Sequence, residues 1–221
     1  MSTTPKAPTR ARARKGEGEL LRGEILEAAE RLLLETGSED LVSIRAVARA
    51  TGVTAPSIYR HFEDKTHLMF EVCARQFELF DAAIEAAVAG IDDPILAMLA
   101  RGKAYVRFGI EHPEHYRIMF MGPASTTPGQ WADLLATGSF AHLIEGIDAA
   151  VDAGVLDPPR DSFTTALHIW ANIHGLTSLL VARPTMPWPN LEAFIDDHLA
   201  LCVGAYLRPG VRGTSGTDLR R

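Results

Sequence analysis

The 221-residue chain has only two cysteines, Cys73 and Cys202, and neither has a companion at metal-ligand spacing. A zinc module is thereby excluded, and two buried, reduced thiols inside apolar helical stretches are expected. No glycine-rich phosphate loop and no nucleophile elbow is present, since GTSG at Gly213 lacks the elbow's spacing. Glu111, His112, Glu114 and His115 come nearest to a metal site, but Pro113 pushes the residue before it out of helix. His112 and His115 therefore do not share a helical face. These absences predict a protein that is not an enzyme, with no catalytic residue, no metal and no cofactor. The basic N-terminal stretch is not followed by an apolar run, so a secretory signal is excluded and a cytoplasmic protein is expected. No alternating strand pattern bounded by hairpin turns appears either.

Charge of one sign is also scarce overall. Lys and Arg number 22 against 28 Asp and Glu, a net of −6, which argues against a general nucleic-acid coat. The distribution is uneven. Residues 1–62 carry 10 basic and 8 acidic side chains, and residues 63–221 carry 12 and 20. A mildly basic head on an acidic body suits a protein that touches DNA at one end.

What is present is helical periodicity along nearly the whole chain. Ile25, Ala28, Ala29, Leu32 and Leu33 fall on one face of a first helix closed by Gly37. In the stretch from Val42 to Lys65, Ser43 is an N-cap, and Ile44, Val47 and Ala48 form the buried face of a short helix. Gly52 supplies the left-handed residue that ends it, and Thr54 begins another helix as its N-cap. Pro56 is tolerated because it falls in the first turn. Ile58 and Phe62 share the inner face of this second helix. Two short helices set at an angle by a glycine turn are the layout of a DNA-reading helix-turn-helix. The second helix enters the major groove, so Thr54, Pro56 and Ser57 are candidates for base edges, with Arg60 also on the outer side. Ser43, Arg45, Tyr59, His61 and Lys65 are candidates for phosphates.

Further helices follow. One runs from an Asp64 cap to about Val88, with Leu68, Val72, Phe77, Phe80 and Ile84 on its apolar side. Others span Pro94 to about Glu111, Pro113 to Met121 and Gln130 to Ala153, with Gly122–Gly129 as a loop. Ser162 to Ala182 and Leu191 to Leu207 complete the series. The penultimate segment lacks a formal charge over about the 20 residues a bilayer needs. Its eight polar side chains, among them His168, Asn172 and His174, exclude a lipid-facing helix. A helix apolar on several sides is buried on several sides. With 191–207 it is expected to form a four-helix interface in a homodimer.

The run GVTAPSIYRHFEDKTHL, Gly52 to Leu68, resembles the signature of the TetR family of bacterial transcriptional regulators, through Tyr59, His61, Phe62, Lys65 and Leu68. The match extends over about residues 20 to 68. The resemblance implies an all-α protein: an N-terminal three-helix DNA-binding domain and a larger C-terminal helical domain for ligand binding and dimerisation. On that reading residues 1–19 are a disordered arm, 20–66 the helix-turn-helix domain, 67–207 the effector-binding and dimerisation domain, and 208–221 a flexible tail. The resemblance further implies that Tyr59, His61 and Lys65 touch phosphates and that Thr54, Ala55, Pro56 and Ser57 face bases. The partners implied are double-stranded DNA with a palindromic operator, a second copy of the chain, and a small effector that moves the helix from Asp64 to Val88. HPEHYRIMF, His112 to Phe120, with WANIHG, Trp170 to Gly175, resembles the subgroup named for a Trp, His and Gly (WHG). Tyr105, Phe108, Met119, Phe120, Trp131, Phe140, Trp170 and His174 form a set able to line an apolar effector cavity. An architectural or adaptor helix-turn-helix protein without a ligand is the alternative that the residues leave open.

Overall fold

A computed structural model describes residues 17–120 and 136–210. The expected N-terminal arm up to residue 16, the loop at Gly122–Gly129, Trp131 and the tail beyond 210 lie outside the described residues. The described chain is built from nine α-helices: α1 Glu17–Thr36, α2 Ile44–Thr51, α3 Ala55–Ile58, α4 Lys65–Val88, α5 Pro94–Glu111, α6 Pro113–Phe120, α7 Gly138–Asp152, α8 Ser162–Ala182 and α9 Leu191–Gly204. A 3-10 turn covers Glu39–Leu41, and Leu156 and Leu207 form an isolated antiparallel bridge. The helices form two compact units. The first takes the chain up to Phe77 and resumes at Glu114; the second takes Glu78–Pro113 and the rest of the described chain.

The caps follow the side-chain chemistry. Ser43 accepts from the amide of Ala46 at 3.1 Å, Asp64 from His67 at 2.8 Å, Asp93 from Ile95 and Leu96, Asp161 from Thr164, and Asn190 from Ala193. Each satisfies an amide that has no partner inside its own helix. Pro94 and Pro113 open their helices, where a missing N–H is harmless.

In the first unit, Ile25, Ala29, Val47, Ile58, Phe62, Leu68 and Met69 are all at or below 1% exposure and form one core. Each large aliphatic or aromatic side chain among them contributes about 1.5–3 kcal/mol by leaving water. Ile118 of α6 packs against the same core, and Phe77 meets Phe120 edge-on at 5.4 Å. In the second unit α5 is central, packed on α7, α8 and α9. Gly102 leaves room there for Leu199, since a Cβ would come 2.5 Å from a terminal methyl of that side chain and make it shift.

Three expectations are corrected. The helix expected from Gln130 to Ala153 is interrupted at Thr137, between a helical Ala136 and the start of α7 at Gly138, whose φ is +67°; its first residues, 130–135, lie outside the described residues. The cause lies in α4: Asp81 accepts from the amide of Ser139 at 2.8 Å, and a Cβ on residue 138 would sit 2.0 Å from the same carboxylate. The helix carrying Ile58 ends at Ile58 and does not run on to Phe62. The amide of His61 bonds the Ile58 carbonyl in a tightened turn, and the amide of Phe62 shares that carbonyl, which still brings the ring into the core. The cysteines are free but only partly buried, with the Cys73 thiol pushed up to about 11 by burial and, secondarily, by Glu39. Both remain protonated thiols at neutral pH. No helix among the described residues is long and apolar enough to cross a membrane.

Candidate nucleic-acid interface

The turn between α2 and α3 is made by backbone chemistry. Gly52 adopts φ +66°, its amide bonds the Arg49 carbonyl, and the amide of Val53 reaches back to Ala48 at 3.0 Å. This pair of bonds is a Schellman closure, and its left-handed residue is favourable only as glycine. Below the turn, Val47, Ala48 and Ile58 are buried, which turns the opposite side of α3 outward.

The outward side is polar and already organised. Thr54 Oγ1 lies 3.0 Å from Ser57 Oγ, and the Arg60 guanidinium donates to the same Ser57 oxygen at 3.1 Å. The three side chains make a string along one face. Thr54 stands at the N-cap position, yet its hydroxyl meets Ser57 and makes no cap bond to the backbone, a further correction to the sequence reading. Pro56 is exposed and Ala55 half-buried.

Tyr59 is 52% exposed although large and aromatic, so burial does not explain its place. Ser43, Arg45 and Arg60 are exposed, and His61 and Lys65 are half-buried. Ser43 uses an oxygen lone pair for capping and keeps its O–H for an external acceptor. Lys65 stands in the first turn of α4. All ten candidates therefore belong to the first unit, grouped on α2, on α3 and its following turn, and at the start of α4.

One contributor was not singled out from sequence. Arg22 of α1 stacks 5.2 Å over the Phe62 ring and pairs with Glu71 at 2.9 Å, and Glu71 also faces His67 Nε2 at 3.4 Å. This ties α1 to the turn after α3. Helical periodicity alone marks Arg22 as a polar-face residue, and only the tertiary contact reveals its role.

The candidate effector residues divide. Tyr105, Phe108, Phe140, Trp170 and His174 fall in the second unit, where their rings connect. Phe80 meets Tyr105 at 5.0 Å and Phe108 at 5.1 Å, both edge-on, and Trp170 contacts Phe140 at 5.9 Å and His174 at 5.6 Å. Phe80 was assigned to core packing in the sequence reading, and the structure places it inside this ring cluster. Met119 and Phe120 belong to the first unit, where Phe120 packs on Tyr116 and Phe77.

A polar thread runs through the rings. The Trp170 indole N–H donates to the Tyr105 hydroxyl at 3.2 Å, and that hydroxyl lies 3.0 Å from His174 Nδ1. Indole nitrogen can only donate, so the tyrosine oxygen accepts from it. His174 Nε2 faces Ser178 Oγ at 3.3 Å. Burial lowers the pKa of His174, which favours the neutral ring. Nearby, a partly open cleft of about 390 Å³ is lined by Ala83, Ala87, Ala100, Ala104 and Phe108, with Lys103 and Arg107 among its polar residues.

Comparison with known proteins agrees with this geometry. Residues 25–72 match the family described as bacterial regulatory proteins, tetR family, and residues 98–201 match the tetracyclin repressor-like C-terminal domain. The chain is 29% identical over 184 residues to the HTH-type transcriptional repressor KstR of Mycolicibacterium smegmatis, covering 79% of this chain and 83% of that one. It is 27% identical over 228 residues to the uncharacterized HTH-type transcriptional regulator Rv0681 of Mycobacterium tuberculosis, covering 98% of this chain and 100% of the relative. The crystal structure of a putative tetR family regulator from Shewanella sp. PV-4 superposes with a TM-score of 0.69 at 19% identity, over 87% of this chain and 99% of the other, a likeness of fold. With both halves matched by TetR models and the glycine-turned α2–α3 pair in place, the chain belongs to the TetR family of DNA-binding transcriptional regulators, a class without enzymatic activity.

Proposed function

We propose that the chain is a homodimeric repressor that reads a palindromic operator with α3 and is released by a small, largely apolar effector. The observation that carries the DNA reading is the outward string Thr54–Ser57–Arg60 beside an exposed Tyr59, on a helix whose inner residue Ile58 is fully buried. Thr54 to Ser57 face base edges, while Ser43, Arg45, Tyr59, His61 and Lys65 hold phosphates and set the register. Repression is favoured by the relative named KstR, itself called a repressor. The protein acts in the cytoplasm, where the operator is.

Dimerisation is supported by the outer faces of α8 and α9. Leu179 is 56% exposed and Leu201 67%, on helices whose inner faces bury Ile173, Leu176, Leu180, Ile195 and Leu199. Small residues accompany the two leucines, with Ala171, Gly175 and Ala182 on α8 and Ala205 after α9. Two helices from each copy complete a four-helix interface. A two-fold axis then sets the spacing of the reading heads, which meet successive major grooves at about 34–36 Å.

Effector control is supported by the ring cluster around Tyr105, Phe108, Phe140, Trp170 and His174, an apolar surround with a few convergent polar groups. Release requires that the effector bind the DNA-free state more tightly than the DNA-bound state, and displacement of α4 is the step that would change the head spacing.

The test is selection of bound sequences from a random DNA pool with the purified protein, then titration of the winner at several salt concentrations. An enriched palindrome is expected. Binding without enrichment would replace the operator reading with an architectural or adaptor role, and absence of binding by effector-free protein would remove the DNA reading.

A further inference from the structure

We propose that the cleft between α4 and α5 is a binding site for an amphipathic anion, a straight-chain carboxylate whose tail lies along the cleft floor and whose head meets Arg107 and Lys103. The site is additional to the ring cluster and does not rest on the operator or effector readings above.

The cleft exists because short side chains face one another across two helices. Ala83 and Ala87 stand one turn apart on α4, and Ala100, Ala104 and Phe108 follow one another at the same spacing on α5. Methyl groups end too soon to close the gap, which leaves about 390 Å³, inside the range of roughly 300–1,000 Å³ common for small-molecule sites. The two helices are nevertheless held together, by Phe80 edge-on to Phe108 at 5.1 Å and by the ion pair of Glu85 with Arg101. The gap is therefore bounded by packed contacts. Phe108 serves both sides, since it joins the ring cluster through Phe80 and also lines the cleft, where the His112 ring lies against it at 4.9 Å.

The head group is selected by charge. The charged residues that line the cleft are Lys103, Arg107 and Glu111, two cations to one carboxylate. Both cations are engaged from the far side by α9, Lys103 Nζ with Asp196 at 2.6 Å and Glu192 at 3.3 Å, and Arg107 with Glu192 at 2.9 Å. Those acids lie outside the lining, so they fix where the cations stand without entering the cleft. Donors remain. Arg107 is exposed and commits one of a guanidinium's five N–H groups to Glu192, and the Lys103 ammonium has three N–H groups for its two partners. The open edge of a guanidinium takes a carboxylate in bidentate form. A neutral apolar molecule would leave these donors to water, and a cation would meet two like charges.

The experiment is isothermal titration calorimetry of the full chain, without DNA, against octanoate, decanoate, octanol and octyltrimethylammonium. Octanoate is expected to bind more tightly than octanol, and octyltrimethylammonium to show no binding. Each methylene that the cleft covers should tighten binding by up to about fourfold, so decanoate should exceed octanoate by up to about fifteenfold. Arg107→Gln should weaken octanoate about fivefold, the upper end for an exposed ion pair, and leave octanol unchanged. Ala87→Glu, at an exposed helix position that glutamate suits, puts a carboxylate into the cleft and should remove decanoate binding. Equal affinity for octanoate and octanol, or indifference to Arg107→Gln, would overturn the anion assignment. Preference for the cation would do the same and give the cleft's selectivity to Glu111. Decanoate binding that survives Ala87→Glu would place the ligand elsewhere and overturn the site, as would no binding by any of the four. DNA selection is a separate assay, so none of these results bears on the operator reading.

Discussion

Gly138→Ala tests the contact that starts α7. Residue 138 has φ +67°, a conformation that costs a residue with a Cβ about 1–2 kcal/mol. The new methyl would also lie 2.0 Å from Asp81 Oδ2, so the carboxylate must swing away and release the Ser139 amide now held at 2.8 Å. A hydrogen bond to a charged group contributes about 1.5–3 kcal/mol. The expected loss is therefore about 2.5–5 kcal/mol, or a fall in Tm on the order of 10 °C for a chain of this size. Asp81→Ala removes the bond alone and should cost about 1.5–3 kcal/mol. The double variant should be no worse than Gly138→Ala, because the bond can be lost only once, so the two effects fall short of additivity by about 1.5–3 kcal/mol. Urea titration followed by circular dichroism, at one fixed protein concentration so that dimerisation does not shift the midpoint, measures all three. A Gly138→Ala protein within about 0.5 kcal/mol of the parent, or additive losses, would refute the account of this junction.

Tyr59→Phe and Lys65→Ala should weaken binding to every DNA sequence, with Lys65→Ala making the salt slope of a dimer shallower by about 1.8. Thr54→Val and Ser57→Ala should instead change which operator a random pool yields, and a uniform loss from all four would dissolve that division. Gln76 is 1% exposed, and neither amide atom has a hydrogen-bond partner among the described residues. Gln76→Met should therefore stabilise the protein by about 1–3 kcal/mol in thermal unfolding, and a lower midpoint would show that the amide is satisfied. Burial lowers the pKa of His174, so the unfolded chain takes up that proton first as pH falls. Stability from this residue is present above about pH 6.5 and lost below it, and His174→Gln should lose less stability than the parent between pH 7 and pH 5. Equal losses in the two proteins would contradict the buried neutral ring.

Local chemistry explains which parts of the fold were legible in the sequence. The bounds of α5 and α8 are readable because their punctuation is adjacent: Asp93 and Pro94 open one and His112-Pro113 closes it, and Asp161 opens the other. The start of α7 is not readable, because the residue that makes Gly138 necessary is Asp81, on a different helix. Likewise α6 follows α5 directly in sequence, yet Ile118 packs on the core built by α1 to α4 and His115 faces Glu30 at 4.0 Å. Sequence patterns report which face of a helix is buried and seldom against what.

The residues proposed to face DNA show the same limit at finer scale. Their placement outside follows from Val47, Ala48 and Ile58 being inside, which periodicity reveals. Their mutual bonding does not, since it depends on the rotamers of Thr54, Ser57 and Arg60 together. That bonding bears on recognition. Each hydroxyl in the string keeps donor or acceptor capacity, and a new bond to a base replaces one to water, with a net gain of only about 0.5–1.5 kcal/mol. Arg60 differs, because a guanidinium has five donors and uses one on Ser57 in the string. It can keep that bond and still address an external acceptor with the others, from the turn that follows α3. A bidentate arginine pair discriminates a wrong base by about 1–3 kcal/mol, more than a single exchanged hydroxyl can. Ser57 then matters chiefly for aiming Arg60, which is why removing either should alter sequence preference in the same direction.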